Sequence, residues 1–201
     1  MQLYLQAEVI DIAKTREGIY RLTTRQGTLS SRYVINAAGL YADEIARMAG
    51  DGHIHLSLRK GTMLIFDKSA SHLVQNMIFG SFSESHSQDI APTAHGNLIL
   101  GVHYVKTDKK SDTHVSREGI RETLKLGRQL IPALSEKDVI TSFAGILAIS
   151  NTSRDGDFFI APSEHAPGVI HVMVGAPGLS AAPAVAEYVI QLLGDAGWRS
   201  V

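Results

Sequence analysis

Tyr33-Val34-Ile35-Asn36-Ala37-Ala38-Gly39-Leu40-Tyr41-Ala42-Asp43-Glu44 passes from an apolar run, through three residues with almost no side chain, into a helix-compatible segment. The β-branched Val34 and Ile35 favour an extended, buried strand. Ala37, Ala38 and Gly39 let another backbone, or a flat or phosphorylated ligand, approach closely. The following short helix, expected over about 41–48, is stopped by Ala49-Gly50-Asp51-Gly52. Taken alone, this unit is read first as a glycine closing a strand-to-helix turn, and only second as a ligand site.

Upstream, strand-like runs at 3–12, 19–24 and 28–36 are separated by turn residues at 15–18 and 25–27, which predicts a β-meander. Downstream, strands are expected at 62–66 and 97–102. The Ser- and His-rich stretch 81–87 has no apolar period and reads as an exposed loop. Residues 116–130 place Ile120, Leu124 and Leu130 among charges and are followed by Pro132, the pattern of an amphipathic helix covering a sheet. Strands recur at 139–149, 158–161 and 169–175, and a last helix is expected over 181–193 with Pro183 in its first turn.

The second informative corner is Val174-Gly175-Ala176-Pro177-Gly178-Leu179-Ser180-Ala181-Ala182-Pro183, a strand delivered into a helix through a glycine-rich loop. Backbone N–H groups at such a helix start, with the helix dipole behind them, favour negative charge. The competing reading is an ordinary loop with Ser180 as N-cap.

Composition narrows the classes further. The 201 residues carry 44% hydrophobic residues, enough for a buried core, and 19 Lys plus Arg balance 20 Asp plus Glu for a formal charge of -1. Nucleic acid is therefore not an expected partner, because no basic cluster neutralises a run of phosphates. The absence of cysteine removes thiolate chemistry, disulfides and iron–sulfur clusters from this chain. No apolar run reaches the roughly 20 residues of a transmembrane segment, so a cytoplasmic location is expected, with peripheral membrane association left open.

Considered in order, several segments resemble the D-amino-acid-oxidase-like superfamily of FAD-dependent oxidoreductases. They are Tyr33 to Glu44, Arg59-Lys60-Gly61-Thr62-Met63-Leu64-Ile65-Phe66-Asp67, Ala91-Pro92-Thr93-Ala94-His95-Gly96-Asn97-Leu98-Ile99-Leu100-Gly101, Phe143-Ala144-Gly145, Asp157-Phe158-Phe159-Ile160 and Gly178 to Pro183. The series is most similar to the glycerol-3-phosphate dehydrogenase and L-2-hydroxyglutarate dehydrogenase-like branch. The resemblance implies an α+β fold: a large mixed β-sheet substrate domain packed with helices, plus the β-meander and C-terminal helix of a truncated FAD/NAD(P)-binding, Rossmann-like domain. It places the remainder of the FAD-binding domain at 1–50 and 140–201 and the substrate or cap domain at 51–139.

Members of that superfamily carry an N-terminal βαβ unit with G-x-G-x-x-G, and no such motif occurs here. The chain is accordingly expected to be a portion of a longer protein, inactive by itself and a weak binder of FAD. Carried over residue by residue, Val9 resembles the position whose backbone meets the adenine, while Ala37, Ala38 and Gly39 resemble the turn near the adenosine and pyrophosphate. Gly178, Leu179 and Ser180 resemble the helix start facing the flavin pyrimidine ring, where a reduced flavin develops negative charge. The implied reaction is hydride transfer from a small hydroxy acid or polyol phosphate, such as 2-hydroxyglutarate or glycerol 3-phosphate, to flavin N5. Electrons would pass to a quinone, oxygen or another redox partner. The alternatives are an amine or amino-acid oxidase of the same superfamily, and a non-catalytic FAD-family binding module.

One departure bears on substrate. After Phe143-Ala144-Gly145, relatives commonly place an apolar residue and then an Arg, whereas this chain has Ile146 and Leu147, so the bidentate clamp for an anionic substrate is missing. Gly101-Val102-His103-Tyr104 likewise stands where a Gly-Pro-Thr-like run is usual. Arg154 is a candidate replacement, although a solvated loop arginine is the plainer reading. No catalytic residue is assigned. His95, in a Pro-Thr-x-His-Gly turn, is a candidate base, and Lys60 a candidate catalytic or substrate contact; a turn-stabilising His and a solvated Lys are the competing readings. The nine histidines include the pairs His53 with His55 and His95 with His103, but no carboxylate falls at a recognisable ligand spacing and no metal is assigned.

Overall fold

The computed structural model describes residues 2–83, 86–153 and 157–199. The chain divides into two compact units, residues 1–57 with 148–201, and residues 58–147. These limits fall inside the long strands at 56–66 and 139–150, near the 50/51 and 139/140 boundaries that the resemblance implies.

In the first unit, β1 (Val9–Lys14), β2 (Tyr20–Thr24) and β3 (Gly27–Ser31) form an antiparallel meander in that order. Strand β1 begins six residues later than residue 3, where the sequence pattern started it, because a turn at Leu5–Gln6 interrupts the run. The expected strand 28–36 also divides. Ser31 Oγ donates to the Tyr33 carbonyl (2.6 Å) and accepts from the Tyr33 N–H (3.3 Å), a local turn that takes the chain out of the meander. The chain then enters β4 (Val34–Asn36) of a second sheet, ordered β10 (Phe159–Pro162), β11 (Val169–Met173), β4, with β4 and β11 parallel. Helix α1 (Ala42–Met48) follows after one 3₁₀ turn at Gly39–Tyr41.

The meander is held to the second sheet by Tyr20, which has no exposed surface and whose hydroxyl donates to the Pro167 carbonyl at 2.9 Å. Ile12, Tyr20, Val34, Ala166 and Val169 form the shared core. Gly168 has φ +96°, and a Cβ there would stand 2.8 Å from the Arg32 carbonyl oxygen, so only glycine brings the two backbones close enough for the Val34 N–H to reach the Gly168 carbonyl at 2.9 Å.

The second unit is built on a five-stranded sheet in the order β6 (Ile78–Ser83), β7 (His86–Pro92), β8 (Leu98–Thr107), β5 (Leu56–Phe66), β9 (Val139–Ser150). The described pairings of β5 with β8, β6 with β7 and β7 with β8 are antiparallel. Within the stretch 81–87, the described residues 81–83 and 86–87 lie in strands rather than a loop: the ladder Ile78 to Ile90 through Ser81 to Ser87 continues into them, since main-chain pairing forms where the sequence lacks an apolar alternation. Leu64, Phe66, Ile90, Leu98, Leu100 and Leu124 make the core under α2 (Arg117–Leu130). Ser116 caps that helix by accepting from the Gly119 N–H at 3.0 Å. No helix among the described residues is long and apolar enough to cross a membrane.

Helix α2 lies close on the sheet because Gly127 faces Leu100: a Cβ on Gly127 would stand 2.4 Å from a Leu100 methyl that has no exposed surface. Gly127→Val therefore lowers unfolding stability by about 1–3 kcal/mol through overpacking, measured by urea denaturation, whereas Gly52→Ala, with open space around it, leaves the midpoint nearly unchanged.

Candidate flavin-facing corners

Strands β4 and β11 run side by side with Val34 opposite Val169, Ile35 opposite Ile170 and Asn36 opposite His171. Parallel pairing brings both carboxyl ends to one edge, so the corner after β4 and the loop after β11 emerge next to each other. Ala37 and Gly39 from one corner and Gly178 from the other line a single groove of about 500 Å³. Its walls are apolar, with Ile35, Val172 and Val174 from the strands facing Ala182, Val185 and Val189 from the last helix. Gly39 has φ +56°, and nothing lies within 4 Å of a Cβ placed on it.

The other side of the same corner opens on a second groove of about 620 Å³, where Val9 and Ala38 meet Tyr41, Ile45 and Met48. Strand β1 is an edge of its sheet. The structure thus brings together five of the predicted cofactor residues, Val9, Ala37, Ala38, Gly39 and Gly178, along two adjoining grooves.

Leu179 and Ser180 occupy the helix start rather than a groove wall. Helix α3 (Gly178–Asp195) begins three residues before its expected position, with Pro177 as N-cap and no capping side chain. Ser180 therefore lies inside the helix and is not its N-cap, and Pro183 lies beyond the first turn. The Gly178 N–H is taken by the Gly175 carbonyl (2.7 Å) and the Ala181 N–H by the Pro177 carbonyl (3.2 Å), leaving the Leu179 and Ser180 N–H groups without a partner among the described residues. Two such donors at the positive end of an 18-residue helix favour an anion.

Four residues that the sequence reading did not assign to the site fix this edge. Asn36 Nδ2 donates to the Ala42 carbonyl (2.7 Å) and to Nδ1 of His171 (3.1 Å). With Nδ1 accepting, the Nε2–H of His171 points to Asp51 Oδ2 at 3.3 Å. The Ser163 hydroxyl donates to the same oxygen at 2.5 Å. Burial pushes His171 below the ordinary imidazole range against the opposing pull of Asp51. Burial works to raise the Asp51 carboxyl, yet the Ser163 hydroxyl, the His53 N–H and His171 outweigh it and hold the group below the usual carboxylate value. The only advance sign of this network was the polar Asn36 at the end of an apolar strand.

Lys60, His95 and Leu147 belong to the second unit. Lys60 is not solvated: its ammonium, on a side chain 14% exposed, donates to Asp112 Oδ2 at 2.8 Å, and this bond holds the Asp112 carboxyl below its usual value. His95 is exposed in the turn between β7 and β8, which is closed by the Thr93 N–H to Asn97 carbonyl bond at 2.8 Å. Leu147 lies in β9 and is half-buried. On β8, burial raises the Tyr104 hydroxyl, with Asp89 adding to the effect and Arg59 opposing it. Arg154 lies outside the described residues.

The same order of segments is found among known proteins. The DAO family, described as FAD dependent oxidoreductase, matches residues 1–192. This chain belongs to that family. A glycerol 3-phosphate dehydrogenase of Caloramator mitchellensis is 36% identical over 195 residues, and a glycerol 3-phosphate oxidase of Mycoplasma pneumoniae is 27% identical over 200. The matches cover 96% of this chain in both cases, but only 40% and 51% of those relatives, so the chain spans about half the length of the proteins it resembles.

Among solved structures, the dithionite-reduced L-alpha-glycerophosphate oxidase of Mycoplasma pneumoniae with FAD bound matches with a TM-score of 0.74 at 24% identity, over 96% of this chain and 50% of that one. An L-proline dehydrogenase of P. horikoshii matches with a TM-score of 0.79 at 25% identity, over 93% and 49%.

Asn36→Ala leaves His171 Nδ1 buried without its donor and removes the second bond to the Ala42 carbonyl. It is expected to lower stability by about 1–3 kcal/mol, read by urea unfolding. Asn151→Ala, whose two bonds to the backbone of His53 and His55 are exposed, is expected to lower it by less.

Proposed function

We propose that this chain forms the flavin-embracing edge and the substrate sheet of an FAD-dependent dehydrogenase acting on a small hydroxy acid or polyol phosphate, glycerol 3-phosphate-like or 2-hydroxyglutarate-like. The observation that carries the reading is the meeting of Ala37, Gly39 and Gly178 in one groove, beside the unpartnered N–H groups of Leu179 and Ser180. When bound, FAD would supply a two-electron acceptor for a substrate C–H bond, with electrons passed on to a quinone, oxygen or another carrier.

The chain's own residues divide the work. Val9 and Ala38 would border the adenosine end in the groove closed by Ile45 and Met48, and Ala37 and Gly39 would let the diphosphate approach the backbone. The residues fit: the corner carries no side chain larger than a methyl, and the long apolar wall would exclude water from a planar ring system. The Leu179 and Ser180 N–H groups would stabilise negative charge on the reduced pyrimidine ring. The second unit would provide the substrate-binding sheet.

The named activities of the relatives, glycerol 3-phosphate dehydrogenase at 36% identity and oxidase at 27%, support the polyol phosphate. A second reading is an amine or amino-acid oxidase of the same family, and Leu147, where an anion-holding arginine is usual, favours a third. Loss of turnover with retained flavin is the third reading.

Two measurements test the proposal on the protein in the full length its gene encodes. Purified protein shows flavin absorbance, which is bleached anaerobically by glycerol 3-phosphate or 2-hydroxyglutarate; bleaching only by amines or amino acids establishes the second reading, and bound flavin reduced by neither establishes the third. Ser180→Asp puts a carboxylate on the helix start, which stabilises a helix N-terminus but repels an anionic ligand there. The expected result is an unchanged or higher melting temperature without flavin, together with FAD binding weakened at least ~tenfold, about 1.4 kcal/mol. Unaltered FAD affinity removes this helix start from the site.

A further inference from the structure

We propose that Asp51, His53 and His165 form a binding site for one divalent transition-metal ion, zinc by preference, that clips the turn after α1 to the turn between β10 and β11. Their ligand atoms, one carboxylate oxygen and one imidazole nitrogen from each histidine, all lie within 4.8 Å of one another. Two imidazoles and a carboxylate are a donor set for zinc, which binds such ligands at about 2.0–2.2 Å with tetrahedral geometry. Ligand atoms around such an ion stand about 3.3–3.5 Å apart. The Nδ1 of His53 is already 3.8 Å from Asp51 Oδ1, so modest rotation of two surface rings closes the set.

The carboxylate is built into the fold in the way a ligand requires. Asp51 is 3% exposed, and its Oδ2 is bound by the Ser163 hydroxyl and the Nε2–H of His171. That leaves Oδ1 directed toward His53, whose N–H it accepts at 3.3 Å. Outer hydrogen bonds of this kind orient a ligating carboxylate and fix its ionised form.

Both histidine turns are anchored independently of the rings. The His53 carbonyl accepts from Asn151 Nδ2 at 3.0 Å, and the N–H groups of His165 and Ala166 donate to Ser163 Oγ at 3.2 and 2.9 Å. Ser163 thereby positions His165 and Asp51 together. The rings of His53 and His165 are stacked with centroids 3.9 Å apart and planes at 18°, at the rim of a cavity of about 590 Å³ that Glu164 also lines. A fourth position is left to water or to Glu164. Neither His55 nor His95 takes part. The site shares no residue with the flavin-facing grooves, and it stands whether or not that reading holds.

The test is zinc titration of the purified, tag-free protein after chelator treatment, followed by calorimetry and thermal unfolding. Cobalt(II) serves as the spectroscopic probe. The expected result is one equivalent of zinc bound, a melting temperature raised by zinc, and visible cobalt bands of tetrahedral type. His53→Ala and His165→Ala, both exposed positions, should keep the apo far-ultraviolet circular dichroism and weaken zinc at least ~tenfold each. Ser163→Ala, which keeps all three ligands, should weaken it by less, and His55→Ala and His95→Ala should leave it unchanged. No stoichiometric binding, or binding that survives both His53→Ala and His165→Ala, overturns the proposal.

Discussion

Parallel pairing of Val34 with Val169, Ile35 with Ile170 and Asn36 with His171 is the constraint from which the candidate site follows. Small residues follow each strand, Ala37 to Gly39 after β4 and Gly175 to Gly178 in the loop after β11, and parallel direction puts both endings at the same edge. An antiparallel register would have sent the two corners to opposite ends of the sheet. The ladder is short, so it needs other support: Val169 and Ile170 are buried against the meander core on one hand and Val189 and Leu193 of α3 on the other. The burial of these apolar groups is what makes a three-residue strand such as β4 persist.

At the last pair of that ladder a polar chain replaces apolar packing. Asn36, His171, Asp51 and Ser163 satisfy one another in sequence, and His171 has no exposed surface. A buried network of this kind is stabilising only while each member keeps its partner. Asn36 therefore does two things through one amide: it holds the strand end to the beginning of α1 through the Ala42 carbonyl, and it fixes which nitrogen of His171 carries the proton. The corner that would face a flavin and the turn that carries His53 are in this way parts of one hydrogen-bonded assembly.

How much of this was legible in the sequence depends on the distance over which each feature is decided. The small-residue corners at Ala37 to Gly39 and Gly178, and the amphipathic helix expected over 116–130, rest on local chemistry and could be read directly. The break between β3 and β4 could not, because a single Ser31 hydroxyl bonding to Tyr33 overrides a continuous β-prone run. The hairpin of β6 and β7 escaped for the opposite reason, since its ladder is made by main chain while its side chains show no period. The histidines illustrate the hardest case. Spacing suggested His53 with His55, yet the fold stacks His53 on His165, a partner that only β11 and its preceding turn bring near.

Helix α3 shows where the structure tolerates an unfavourable local choice. Its N-cap is Pro177, which has no side-chain acceptor, two of its first N–H groups lack partners among the described residues, and Pro183 sits inside it, a residue that costs about 3 kcal/mol in a helix interior. Such a start is poor helix design when judged alone. The helix is instead held by its later turns, where Val189 and Leu193 pack with Ile170. Stability is thus supplied at one end and unsatisfied donors are exposed at the other, beside the groove that Gly178 lines. A serine at the N-cap in place of Pro177 would satisfy one of those donors and tighten the helix, and for the same reason it would take from an anionic ligand one of the dipoles aimed at it.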